Sequence, residues 1–259
     1  MQLGPHVKTL TDFANSHLDG SDEDQFITLK LEHSLKVLEN AELIIEGEGM
    51  TGDEAELCRL AALYHDIGRF PQFKKYKTFR DRESVNHARL GVLTLRSLPL
   101  PGALPAGHWK IVRLAVAMHN AKAIRPTIPA ALVAPVMVVR DADKLDIFRV
   151  ILEHFSNDPP SSSAVTLNLV NDPGEYTEAV YQAVMNAGLC DYHDMHYVND
   201  FKLLLVSWFY SLRYQTSLSL AKARNYPEQL FSLLPDDDKI RRLRDTIYPL
   251  LHYKDSRPS

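Results

Sequence analysis

Apolar residues recur at three- and four-residue intervals along almost the whole chain, and the strict alternation of a half-buried strand is nearly absent. A chain patterned this way buries its apolar surface by packing helix on helix, so the spacing predicts an all-α protein. In "FITLKLEHSLKVLENAELII", Ile27, Leu31, Leu35 and Leu38 make one stripe, while Leu29, Val37 and Ile44 make a second that contains His33. The next helix opens with Thr51-x-x-Glu54, a capping-box pattern, and is expected to end near Gly68. Ser84 is the expected cap of "SVNHARLGVLTLRSL", in which His87 lies one turn from Leu90 and Gly91. "HWKIVRLAVAMHNA" stacks His119 over Ala115 and Val116, and "APVMVVRDADKLDIFRVILEHF" carries Asp143 between Val139 and Ile147.

A turn-rich break follows at "SNDPPSSS" and again at "NDPG". The "AVTLNLV" between them alternates, and reads either as a short strand or as an extended loop. Beyond it, "EYTEAVYQAVMNAG", "NDFKLLLVSWFYSLRYQTSLSLAKA", "YPEQLFSLL" and "DDDKIRRLRDTIYPLL" read as four further helices, with Pro227 in the first turn of the third and acids in the first turn of the last. No long linker divides the chain, so the expectation is a single domain over residues 1–259, with a core at about 26–155 and a C-terminal helical portion at about 172–252.

Charge and composition narrow the function classes. A net charge of −4 argues against bulk nucleic-acid binding or adsorption to an anionic membrane, although residues 67–98 carry a local excess of +6. The most apolar runs, "LLLVSWFYSL" and "ALVAPVMVV", fall short of the roughly 20 residues a membrane span needs. Two cysteines make no disulfide framework and the N-terminal residues lack a signal-peptide pattern, so the expected location is the cytoplasm.

Five of the expected helices each turn an imidazole or carboxylate inward, in the chain order His33, His65-Asp66, His87, His119, Asp143. Singly, such residues are ordinary core groups hydrogen-bonded to a neighbour. Together they are costly, because each left unpaired forfeits about 1–3 kcal/mol of solvation, and one shared cation satisfies all of them. Neutral imidazoles and carboxylates are ligands that divalent transition ions accept.

This ordered set, H…HD…H…H…D, resembles that of the HD superfamily of metal-dependent phosphohydrolases, and the intervening "HDIGRFPQFKKYKTFRDRESVNHARLG" is similar to an uncharacterised subgroup of it. The resemblance covers about residues 26–155 and implies an HD-type helical bundle with additional C-terminal helices. It implies that His33, His65, Asp66 and Asp143 hold one metal, and that Asp66 bridges to a second held by His87 and His119. A one-metal site, with His87 and His119 as phosphate-binding or core residues, is the alternative. Asp141 and Asp146 compete with Asp143 on periodicity, and only the likeness of "ADKL" to the family's last motif selects Asp143. A second "YHD", Tyr192 to Asp194 near Cys190 and His196, has no downstream partners in the family order. The family's cyclic-dinucleotide enzymes carry paired histidines where this chain has His119-Asn120, and a Gly-Tyr-Pro motif it lacks, which weakens that reading.

The expected function is therefore hydrolysis of a small phosphate ester, either mono- or diester and including nucleotides, by a metal-activated hydroxide. The cofactors are two divalent ions drawn from Mn, Fe, Zn, Ni, Co or Mg. Asp66 is the catalytic carboxylate, and Arg69 and Lys144, each next to part of the ligand set, add charge stabilisation. Phe70, Phe73, Tyr76 and Phe79 recur every third residue and pin the basic connector to the core, with one or two free to stack on a base or sugar. The alternatives from other classes are a di-iron oxygenase with the same ligand order and a metal-stabilised binding module without turnover.

Overall fold

The structure, a computed structural model, describes residues 2–102, 104–157, 169–188, 190 and 192–252. The described residues contain helices and no strand; one isolated parallel bridge joins Val170 to Tyr197. The rest of the "AVTLNLV" segment, 164–168, lies outside the described residues. No described helix is long and apolar enough to cross a membrane. The chain divides into two compact units, Met1–Asp146 and Ile147–Ser259, and the division falls inside one long helix.

The first unit is built around α3 (Gly52–Tyr64), which α1 (Gly4–Asn15), α2 (Asp24–Gly47) and α6 (Ala106–Met118) pack against. The sequence explains its central place: Ala55, Leu57 and Cys58 are buried, and so is every residue from Leu60 to Tyr64, so the C-terminal part of the helix is apolar all round and needs cover on every side. The helix α4 (Arg69–Tyr76) follows it, and packs on α2 and on α5 (His87–Ser97), which in turn packs on α6. The helix α7 (Ala130–Asn157) closes the series. It starts one turn earlier than its apolar pattern suggests and keeps Pro135 in its interior rather than in its first turn.

Several details depart from the sequence reading. The helix α1 was not legible as an element, yet it buries Leu10 and Ala14, and its His6 Nδ1 meets the Tyr64 hydroxyl at 3.0 Å. Leu29 is 45% exposed, so of the second α2 stripe only His33, Val37 and Ile44 are buried. Thr51 does precede α3, in an extended conformation, but makes no side-chain cap bond. Asn86, not Ser84, caps α5, accepting the Arg89 amide at 2.8 Å, while Ser84 donates to the Arg80 carbonyl.

Gly68 is the most instructive correction. Its φ of −70° is ordinary, so it is no left-handed helix terminator and in fact opens α4. Its role is close approach: a Cβ there would collide with the carbonyl oxygen of His87 and the backbone of Gly91, both on α5. The missing side chain lets the HD turn touch the helix that carries His87.

The second unit gathers on helix Val198–Ser211, buried along nearly its whole length, with Phe209 stacked on Phe148 at 5.0 Å between ring centroids. Asp200, fully buried, accepts from the Thr177 amide and hydroxyl and from the amides of His196 and Tyr197, tying two helix starts together. What reads as one helix over 199–223 breaks after Ser211, because buried Leu212 is extended (ψ 124°), and resumes as Gln215–Ala223. The helices Glu178–Met185, Tyr226–Ser232 and Asp238–Ile247 fall within the expected segments, with Pro227 in the first turn and Asp237 capping the Ile240 amide.

Candidate metal centre

The six side chains singled out by the sequence come together in the first unit, from five helices and their ends. His33 lies in α2, His65 and Asp66 in the turn after α3, His87 at the start of α5, His119 just beyond α6 and Asp143 within α7. They sort into two groups, each of which could hold a metal ion: His33, His65 and Asp143, and Asp66, His87 and His119.

Asp66 faces both groups. Its Oδ2 lies 3.8 Å from Nε2 of His33 and of His65, and its Oδ1 lies 3.4 Å from His87 Nε2 and 3.7 Å from His119 Nε2. Asp143 Oδ1 completes the first group at 3.2 Å from His33 and 3.8 Å from His65.

The tautomers decide what these contacts mean. His33 Nδ1 donates to Asp146 at 2.7 Å, His65 Nδ1 to the Ala62 carbonyl at 2.8 Å, His87 Nδ1 to Asp81 at 2.8 Å and His119 Nδ1 to the Val116 carbonyl at 2.7 Å. Carbonyls and ionised carboxylates only accept, so all four Nδ1 atoms carry a proton, and in each neutral ring Nε2 turns a lone pair inward. Nε2 of His33 faces Nε2 of His65 at 3.3 Å, and that of His87 faces that of His119 at 3.1 Å. Two lone pairs aimed at one another repel, unless a cation lies between them. The spacing suits one: donors about 2.1 Å from an ion of zinc's size, at tetrahedral or octahedral angles, stand about 3.0–3.4 Å apart.

The surrounding charges act in the same direction. Burial by itself would raise the Asp66 pKa, but Lys30, Arg69 and His65 hold it well below the ordinary value, so it is a carboxylate. Asp143 is held low in the same way, chiefly by His33 and His65 working against burial. Burial lowers the pKa of His65 to about 4 and lowers that of His87, which keeps both neutral and ready to ligate. Burial and Lys30 also oppose a proton on His33, yet Asp143 and Asp146 outweigh them and raise its pKa. The field that draws a proton to that lone pair draws a metal cation as well.

Three residues that hold the clustered side chains in place were not recognised as such in the sequence. Asp146 figured only as a rival ligand, but it sits behind His33, a position that fixes ring orientation and raises ligand basicity. Asp81 does the same for His87 from a short 3-10 turn at Asp81–Glu83. Arg140 donates to the carbonyls of His119 and Ala121, both at 2.7 Å, and so ties down the end of α6 that presents His119.

The two expected catalytic cations are placed differently. Arg69 reaches Asp66 Oδ1 with Nε at 3.3 Å, while its Nη1 is engaged by Gln72, the Phe79 carbonyl and Asp81. Lys144 donates to the carbonyl of Arg140 in its own helix at 3.3 Å, and burial lowers its pKa to about 8. The basic connector is not a bare positive surface: Lys74 pairs with Asp19, Lys77 with Glu23 and Arg80 with Glu83. Phe70 and Phe73 are buried and Phe79 packs on the same core. His193 and Asp194 of the second "YHD" are exposed, and they belong to no metal-capable group among the described residues.

The sequence model of the HD domain family matches residues 31–147, a span that contains every one of the six clustered side chains. No curated protein and no solved structure matches the chain significantly. The helical fold, the His-Asp pair at the end of α3 and the family match agree: residues 31–147 form an HD domain.

Proposed function

We propose that the protein is a phosphohydrolase that uses two divalent ions, one held by His33, His65, Asp66 and Asp143 and the other by Asp66, His87 and His119. The observation that carries this reading is the commitment of all four Nδ1 atoms to acceptors, which turns four Nε2 atoms inward in two pairs at ligand-like spacing, with the carboxylates of Asp66 and Asp143 converging on them. Bound there, divalent ions neutralise charge on a phosphoryl group and acidify water at neutral pH.

The chain's own residues supply the rest. Asp66 offers one oxygen to each group and couples them. Asp146, Asp81 and the Ala62 and Val116 carbonyls hold the rings in their tautomers, so little is reorganised when substrate arrives. Arg69, beside Asp66, and Lys144, next in sequence to Asp143, add positive charge where a phosphoryl group would develop negative charge. The substrate is a small phosphate ester, with nucleotides in the class.

The test is a panel of phosphomonoesters, diesters and nucleotides presented to the protein loaded in turn with Mn, Fe, Zn, Ni, Co and Mg. Metal-dependent phosphate release that is lost in Asp66→Ala is the expected result. Complete loading with no phosphate release contradicts the hydrolase reading, and oxygen uptake by the iron-loaded protein would then assign oxidative chemistry.

A further inference from the structure

Asp66 is flanked by two cations held in very different ways. Arg69 has Nε and Nη1 committed to four acceptors, and its side chain is 16% exposed. Lys30, one turn before His33 on α2, makes a single hydrogen bond among the described residues, from Nζ to Asp66 Oδ2 at 3.1 Å, although an ammonium has three protons to donate. Its ammonium also lies 5.4 Å from the centroid of the Phe79 ring, which restrains the long side chain without using up a donor. At 21% exposure it reaches solvent where Asp66 (5%) and His33 (7%) do not.

A lysine that only neutralised Asp66 would duplicate Arg69, and a positive charge beside a metal-ligating carboxylate opposes metal binding. The position makes sense for an anion that arrives from solvent and must meet the metal-binding face. Two divalent ions would balance the four carboxylates Asp66, Asp81, Asp143 and Asp146, so the charges of Lys30 and Arg69 remain in excess, and a terminal phosphate dianion offsets that excess more fully than a diester monoanion.

Resting on the hydrolase reading above, we infer that Lys30 is the substrate-recognition residue of this site, donating to the phosphoryl oxygens of a terminal phosphate monoester. Sequence reasoning passed over it because a lysine in an amphipathic helix looks like any solvated charge.

The test uses the full metal-loaded chain, with inorganic phosphate as binding probe and p-nitrophenyl phosphate as reporter substrate. Lys30→Met keeps the stem and deletes the charge, and Lys30→Gln is a second variant should the first fold poorly. The expected result is phosphate affinity weakened about 10- to 100-fold, the scale of one lost hydrogen bond to a charged group. KM for the monoester rises by a similar factor with little change in kcat, and Lys30→Arg recovers most of the affinity. Metal affinity is unchanged or tighter, since a repelling cation has gone; weaker metal binding with phosphate affinity intact would overturn the inference and make Lys30 a support for Asp66. Lys30-dependent phosphate binding without turnover of any ester would refute the hydrolase reading while upholding Lys30 as the phosphate-recognition residue. Turnover and phosphate affinity unaltered in Lys30→Met would do the reverse.

Discussion

The residue behind His33 offers a quantitative test of preorganisation. Asp146 is 1% exposed and accepts from His33 Nδ1 at 2.7 Å, so Asp146→Ala leaves a buried N–H without its acceptor. Two separate costs follow. The orphaned donor destabilises the fold by about 1–3 kcal/mol. The imidazole, no longer held in one tautomer, presents its Nε2 lone pair to the His65 and Asp143 group for less of the time. Loss of such an outer partner typically weakens metal binding about 10- to 100-fold, or about 1.4–2.8 kcal/mol. Asp146→Asn keeps an acceptor oxygen of the same shape but not the charge, and is expected to fall between the two. The assay is competition for zinc against a chromophoric chelator, in mildly alkaline buffer so that protons do not compete for His33, with a melting curve on the same samples. The first ion should weaken and the second should not, because Asp81 and the Val116 carbonyl still hold His87 and His119. Unchanged affinity in Asp146→Ala, or equal weakening of both ions, would refute the reasoning.

Three further outcomes follow from the same geometry. Gly68→Ala places a methyl group against the His87 carbonyl and the backbone of Gly91, which should destabilise the protein by about 1–3 kcal/mol in urea and loosen the second ion more than the first; a neutral substitution would mean that α4 and α5 separate freely. His65 has a folded pKa of about 4 against an ordinary 6.5, so between those values the unfolded chain binds a proton that the folded chain does not, and stability falls as pH falls through the window. Measured without metal, the stability of wild type relative to His65→Gln should drop by about 3 kcal/mol from pH 6.5 to 4, and a constant difference would show that His65 is not buried as a neutral base. Lys144→Met should retain metal and melting temperature while kcat/KM falls about 10- to 1000-fold, whereas wild-type kinetics would remove Lys144 from the catalytic group.

The legibility of this protein in its sequence follows the range of the interactions involved. His33, His87 and His119 could be read because each shares a helical face with apolar residues, and burial on a helix is a local pattern. Asp143 was separable from Asp141 and Asp146 only by resemblance, since all three lie on one helix and the partners that distinguish them are more than 70 residues away. Asp81 and Lys30 escaped notice although their partners are nearer in sequence: the contacts that define them, to His87 across a short turn and to Asp66 from another helix, leave no periodic mark. Gly68 was visible but misread, because a glycine after a helix has the same signature whether it supplies a left-handed φ or a close approach. Ser84 and Asn86 are both capping residues, and only the backbone shows which one has the extended conformation next to the first helical turn. The break after Ser211 carries neither glycine nor proline, and the apolar pattern runs through it. Helix α1 did carry a start signal, Pro5 in its first turn, but its short and partly polar stripe was too weak to stand out.

The central claim, that Asp66 is shared by two metal groups, is tested most directly by counting metal. Plasma mass spectrometry on the wild type, His87→Ala and Asp66→Ala, each dialysed against the same buffered metal, gives the stoichiometry of all three. Geometry predicts two ions in the wild type, one in His87→Ala, where His33, His65, Asp66 and Asp143 are intact, and none firmly held in Asp66→Ala. Equal losses in the two variants, or a full complement of metal in Asp66→Ala, would contradict it.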